Sequence, residues 1–178
     1  MDQRKYLYAT KAQLLTGVVV VAIILTAVFF GVFRYINSNN GHVIPRAIQQ
    51  KITYQVYAPQ IDDTVWKVLP ESIKYDDKQG LLSLTIASSN IKLFVTEQNT
   101  PAQFTDIPQY YPALMGKLNQ YSVVQTSLGE VALTHPKELN GNQTAVSNSH
   151  GTLMFVRPQN SLTDTQWQQF FNTLIIAR

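Results

Sequence analysis

The chain has 178 residues, a formal net charge of +3 and no cysteine, so disulfides, thiolate zinc sites and thiol catalysis are all excluded. From Tyr35 onward ten Lys and Arg balance ten Asp and Glu. The surplus of positive charge belongs to the first 34 residues, and a neutral remainder with no basic cluster argues against a nucleic-acid partner.

Residues 1–13 are read as a cytoplasmic tail carrying Arg4, Lys5 and Lys11. Leu14–Phe33 then runs for twenty residues without a charge, and fourteen of them are Leu, Ile, Val or Phe. At ~1.5 Å per residue a helix of this length spans the roughly 30 Å hydrocarbon core of a bilayer. On an insertion scale its apolar residues favour the membrane by roughly 4–8 kcal/mol. It shows no polar stripe, as a helix on a soluble core would. A cleavable signal peptide has a shorter apolar stretch and a small-residue exit, whereas this run leaves through Phe29, Phe30, Val32, Phe33 and Arg34. The expectation is an uncleaved single-pass signal anchor. Its partner is the lipid bilayer through Leu14–Phe33, with the N-terminus inside and the C-terminal domain outside the cytoplasm. Within ten residues of the run Arg4, Lys5 and Lys11 lie on its N-terminal side and Arg34 alone on the other, which favours that orientation, although Arg46 and Lys51 even the count out to eighteen residues.

Residues 34–50, with the polar stretch Asn37-Ser38-Asn39-Asn40-Gly41 and with Pro45 against a continuous helical stalk, are expected to form a juxtamembrane linker. Residues 51–178 are expected to form an extracytoplasmic α+β domain, large enough to bury a core without cross-links. Ile52, Tyr54 and Val56 alternate before Pro59. Ser72–Tyr75 leads into the turn Asp76-Asp77-Lys78-Gln79-Gly80, and Leu82, Leu84 and Ile86 follow at strand spacing, as do Ile91, Leu93 and Val95. Ser122–Thr126 and Glu130–Thr134 flank Ser127-Leu128-Gly129, and Gln143–Ser147 and Thr152–Arg157 flank Asn148-Ser149-His150-Gly151. Both pairs predict antiparallel hairpins.

Helices are marked by their starts. Thr100-Pro101-Ala102-Gln103 predicts a short helix through about Asp106, with Thr100 as cap and proline at the first helical position. Tyr111, Leu114, Met115 and Leu118 share one helical face, in a helix that starts near Pro112. Near the C-terminus Thr163 and Gln166 make a capping box, and Leu162 and Trp167 are placed as a hydrophobic staple. Trp167, Phe170, Phe171 and Leu174 form the face that should pack on the sheet. The expected architecture is a mostly antiparallel sheet with two to three flanking helices.

The residues that could carry chemistry are few. Asp62-Asp63 and Asp76-Asp77 lack the spacing of a calcium loop and are read as turn residues. His42 falls in the linker, and His135 and His150 fall at strand ends beside Pro136 and Gly151, without clustered partners. No Gly-x-Ser-x-Gly elbow, His-Glu-x-x-His or phosphate-binding glycine loop occurs. No catalytic, cofactor-binding or metal residue is therefore assigned. Trp66, Tyr110, Tyr111, Trp167, Phe170 and Phe171 could line a ligand groove or fill the core. Asn142-Gln143-Thr144 is a formal glycosylation sequon, with meaning only in a eukaryotic secretory route.

One resemblance emerges from scattered positions between Tyr54 and Ile175. They are Val56-Tyr57-x-Pro59, Leu69-Pro70, a hairpin at Tyr75, a strand ending in Glu97-Gln98, a turn at Gly129, Thr152–Arg157 and Leu162-Thr163-Asp164-x-x-Trp167. In these the domain resembles small extracytoplasmic domains of unknown function found in bacterial single-span membrane proteins and lipoproteins, some associated with anti-sigma factors. The resemblance implies an antiparallel sheet with flanking helices and a non-enzymatic role. A tail of thirteen residues departs from the anti-sigma arrangement, because it cannot form a sigma-binding domain.

Two functions are thus expected to compete. One is a non-catalytic module that binds an envelope protein or ligand. The other is a small envelope hydrolase assembled from distant residues, such as His135 or His150 with Asp62 or Asp106.

Overall fold

A computed structural model of the protein describes residues 43–137 and 142–177. The expected tail at 1–13, the span at 14–33, the linker up to residue 42 and His42 lie outside the described residues. Among the described residues no helix is long and apolar enough to cross a membrane.

The domain is α+β, built on a mostly antiparallel sheet with a few helices. In chain order its elements are α1 (Arg46–Gln49), β1 (Tyr57–Pro59), β2 (Lys67–Val68), β3 (Lys74–Asp76), β4 (Leu81–Ser88), β5 (Ile91–Asn99), α2 (Gln103–Asp106), α3 (Tyr110–Lys117), β6 (Gln120–Thr126), β7 (Gly129–Thr134), β8 (Thr144–Ser149), β9 (Thr152–Pro158), α4 (Asp164–Asn172) and β10 (Leu174–Ile176). The large sheet has the order β2-β4-β5-β9-β8-β7-β6, with β3 also paired to β4, and β1 pairs separately with β10. All of these pairings are antiparallel.

Strand alternation decides which side chains reach which face. Leu82, Leu84 and Ile86 of β4, Leu93 and Val95 of β5, Met154 and Val156 of β9 and Val131 and Leu133 of β7 are all buried in one cluster with α4. On the opposite face Ala132, Val146 and Leu153 form a smaller cluster with Met115 of α3. The sheet therefore has a thick face under α4 and a thin face under α2 and α3.

Both expected hairpins are present. The β8–β9 turn is tighter than the four residues predicted. Ser149 pairs with Thr152, so only His150 and Gly151 connect the strands, at φ +48° and +81°. Positive φ at both central residues matches the right-handed twist of the flanking strands. The turn after β3 is held by the Asp76 carboxylate, which accepts the N–H groups of Lys78 and Gln79 at 2.9 and 3.3 Å.

The capping box at Thr163 and Gln166 forms as expected, and Trp167, Phe170 and Phe171 of α4 are fully buried. Leu174 is buried too, but it opens β10 and does not extend the helix. The chain leaves α4 at Thr173, whose hydroxyl donates to the Phe170 carbonyl at 2.7 Å.

Several other expectations are corrected. Ile52, Tyr54 and Val56 are buried, yet they precede the strand, because the ladder partner β10 meets only Tyr57–Pro59. Thr100 does not cap α2, since its hydroxyl donates to Asn148 Oδ1 at 2.6 Å and the helix starts after Ala102. Pro112 sits inside the first turn of α3, where a missing N–H breaks no helical bond. Within the expected linker, Ile44 is fully buried in the core and its carbonyl accepts the Gln49 side chain at 3.0 Å.

Candidate functional site

The thin face is incompletely covered, and the gap is a groove of about 560 Å³ between α3 and the β6–β7 hairpin. Its helical wall is Tyr111, Pro112, Met115 and Gly116, and its strand wall includes Val123, Glu130 and Ala132. Small residues make the space. A Cβ added at Gly116 would meet nothing within 4 Å, and Ala132 is the short side chain on the facing strand. The volume falls within the ~300–1,000 Å³ of ordinary ligand sites.

The groove combines apolar walls with one negative charge. Val123 remains 42% exposed although it is a valine on a strand, and Met115 is the one fully covered residue of α3. Among the described residues Glu130 is the one carboxylate of the lining, and no lysine or arginine lines it. Gln125 Nε2 donates to Glu130 Oε1 at 3.1 Å and fixes the carboxylate at the rim. Burial pushes the Tyr111 phenol above its usual value, and the charge of Glu130 adds to that shift. The field of Glu130 thus reaches across the groove to the helix.

A second polar region lies on the thick face. Glu97 continues the inward alternation of Leu93 and Val95 and is completely buried. Its carboxylate oxygens accept the Tyr57 N–H at 3.1 and 3.3 Å, which ties β5 to β1. Burial pushes its carboxyl up to about 8, and the Tyr57 N–H offsets part of that shift. Tyr54 donates its hydroxyl to the Glu97 carbonyl at 2.7 Å and accepts the Leu82 N–H at 3.2 Å. Burial raises the Tyr54 and Tyr57 phenols as well. The Tyr57 hydroxyl donates to Gln55 Oε1 at 3.1 Å and lies 3.3 Å from His150 Nδ1.

The residues weighed for chemistry fall in separate places. His150 is exposed on its two-residue turn, with Ser149 Oγ 2.8 Å from the same Nδ1 that faces Tyr57. A serine hydroxyl beside an imidazole is the first half of a nucleophile–base pair. Here Ser149 ends β8 and His150 opens the turn, and the two groups that meet Nδ1 are both hydroxyls. His135 stacks on Tyr121 at 4.5 Å, beside the strand irregularity between Gln120 and Ser122. Its backbone is held by Asn119, whose Nδ2 donates to the His135 carbonyl at 3.0 Å.

Asp63 accepts the N–H groups of Val65 and Trp66 at 2.7 and 2.8 Å, Asp77 pairs with Lys51 at 2.7 Å, and Asp62 and Asp106 are exposed. Asp63 and Asp76 thus hold turns, whereas Asp77 is taken up by its pair with Lys51. Among the described residues no group of three or more His, Cys, Asp or Glu could hold a metal ion. The aromatics divide between the two roles open to them. Trp66, Trp167, Phe170 and Phe171 fill the core, whereas Tyr111 lines the groove and Tyr110 is exposed beside it in sequence. In the sequon Asn142 is exposed, but Gln143 and Thr144 are buried.

Neither the groove nor the buried Glu97 was assigned a role from sequence. Strand alternation carried a signal for Glu97, since it shares a face with Leu93 and Val95. For the groove the sequence offers only Tyr111 as a candidate lining residue, because its space is left by two short residues, Gly116 and Ala132, on different elements. Set against protein-family models, curated proteins and solved structures, the chain matches none.

Proposed function

We propose that this protein is a membrane-anchored extracytoplasmic module without catalytic activity, and that it binds a protein partner or envelope ligand in the groove between α3 and the β6–β7 hairpin. The observation that carries this reading is the groove itself. A 560 Å³ cleft with an exposed valine, a tyrosine and a methionine beside a single carboxylate has the make-up of a binding site. The anchor rests on Leu14–Phe33, and the outward orientation on Arg4, Lys5 and Lys11. A binding role also agrees with the family resemblance noted in the sequence.

The test compares two variants for the phenotype that deletion of the protein produces. Gly116→Leu, which fills the groove, should behave like the deletion, while His135→Ala combined with His150→Ala should behave like the wild type. The opposite pattern in folded, inserted variants would replace this reading with the hydrolase. Protease added to intact spheroplasts should digest the domain, and a protected domain would reverse the proposed orientation.

A further inference from the structure

The chemistry of the groove selects among occupants. Its walls offer Tyr111, Met115 and Val123 for apolar contact, and among the described residues its only formal charge is that of Glu130. Lys117, the next residue after Gly116 on α3, does not line it. An acidic occupant would meet uncompensated repulsion, and a purely apolar one would leave the exposed Glu130 carboxylate without a partner in the ligand. A chain that sets one cationic side chain between apolar ones satisfies both features. Its alkyl stem can lie along the apolar wall while its head reaches the carboxylate, as long basic side chains do at other interfaces. The Gln125 contact holds Glu130 at the rim, so the charge is in place before the ligand arrives.

Resting on the groove as the binding site, we propose that its occupant is a peptide segment of a partner protein bearing a basic residue flanked by apolar ones. Specificity then comes from Glu130 and contact area from the wall of α3.

The experiment uses the full chain in detergent micelles and three capped, fluorescein-labelled pentapeptides, Ser-Leu-Arg-Leu-Ser and its versions with Gln or Glu at the centre. Fluorescence anisotropy at low ionic strength should rank them Arg, Gln, Glu, with at least about a threefold step from Arg to Gln, as one rim ion pair provides. Glu130→Gln should remove that step and Glu130→Lys should invert the order. Gly116→Leu, whose added side chain enters open space, should weaken all three peptides at least tenfold. Circular dichroism establishes that each variant is folded.

Equal affinities in the wild type, or an Arg preference that survives Glu130→Gln, would overturn the basic-segment proposal. If Gly116→Leu still weakens all three peptides in that case, the groove remains the site and only the ligand class is wrong. Binding that Gly116→Leu leaves unchanged, or no binding by any peptide, would overturn the groove as well.

Discussion

Helices α3 and α4 lie on opposite faces of the sheet and are nearly equal in length, eight residues against nine. They are held very differently. The N-terminus of α4 is closed by a reciprocal capping box, three of its aromatics are completely buried, and Gln168 and Asn172 bond to the β6–β7 hairpin. No side chain caps α3, a single residue of it is buried, and a glycine stands one position before its end. The difference separates stability from recognition. One face is filled to hold the fold, and the other leaves the space that the proposed binding role requires. Regions with few buried apolar contacts are also the ones that open first.

The largest expected effect tests the thick face. Phe170→Ala should cost roughly 3–5 kcal/mol in urea unfolding of the detergent-solubilised chain, the usual range for a buried phenylalanine. Phe170 meets Trp66, Phe171 and Trp167 edge-on at 5.1, 5.2 and 6.4 Å, so its loss also removes three aromatic contacts. A loss below 1 kcal/mol would mean that α4 is not a core element, and the contrast with α3 would collapse.

The next effect belongs to Glu97. Its carboxyl is pushed up to about 8 from an ordinary value near 4.5. Between those limits the unfolded chain has released this proton and the folded chain retains it, so stability falls as pH rises through the window and levels off above it. Raising the pH from 5 to 9 should lower stability by about 4 kcal/mol through this group. Glu97→Gln keeps an acceptor for the Tyr57 N–H and has no proton to lose. Unfolding curves of that variant should be flat over the same window apart from other groups. If its pH profile matches the wild type, Glu97 is not the group that titrates.

How much of this was legible beforehand follows from the range of each interaction. Strands β4 and β5 were readable because their alternation is local, and α4 because its box spans four residues. β10 was not, since Leu174, Ile175 and Ile176 continue an apolar helical run and are pulled into a strand only by Tyr57–Pro59, far away in the chain. The same long-range pairing explains why Ile52, Tyr54 and Val56 were read as a strand. They alternate and are buried, but apart from the Ala177 N–H, which donates to the Val56 carbonyl at 2.8 Å, the ladder stops at Tyr57. Glu97 looked like the polar end of a strand, and only the arrival of β1 over it makes it a buried acid.

Two smaller measurements sharpen the contrast between the helices. Met115→Ala should cost about 2 kcal/mol, the lower end for such a truncation, because the side chain borders the groove and the site can relax around the loss. A cost equal to that of Phe170→Ala would make the thin face as well packed as the thick one. Thr163→Ala should cost about 1 kcal/mol by removing the acceptor for the Gln166 N–H. Hydrogen exchange should show the loss confined to the first turn of α4, and equal loosening of α3 would mean that the two faces unfold together.

The smallest effect runs in the opposite direction. Gly116 has an ordinary negative φ and lies within a helix, so its backbone does not require glycine. A methyl group there would meet nothing within 4 Å. Gly116→Ala should therefore stabilise the chain by about 0.5 kcal/mol, through the reduced freedom of the unfolded state and better helix propensity. The gain should be modest because the position is in the last turn. If stability rises while binding of the Arg pentapeptide weakens, glycine is kept at 116 for the space it leaves. If stability falls, the residue is needed for the fold of α3, and the openness of the thin face is a by-product of how that helix ends.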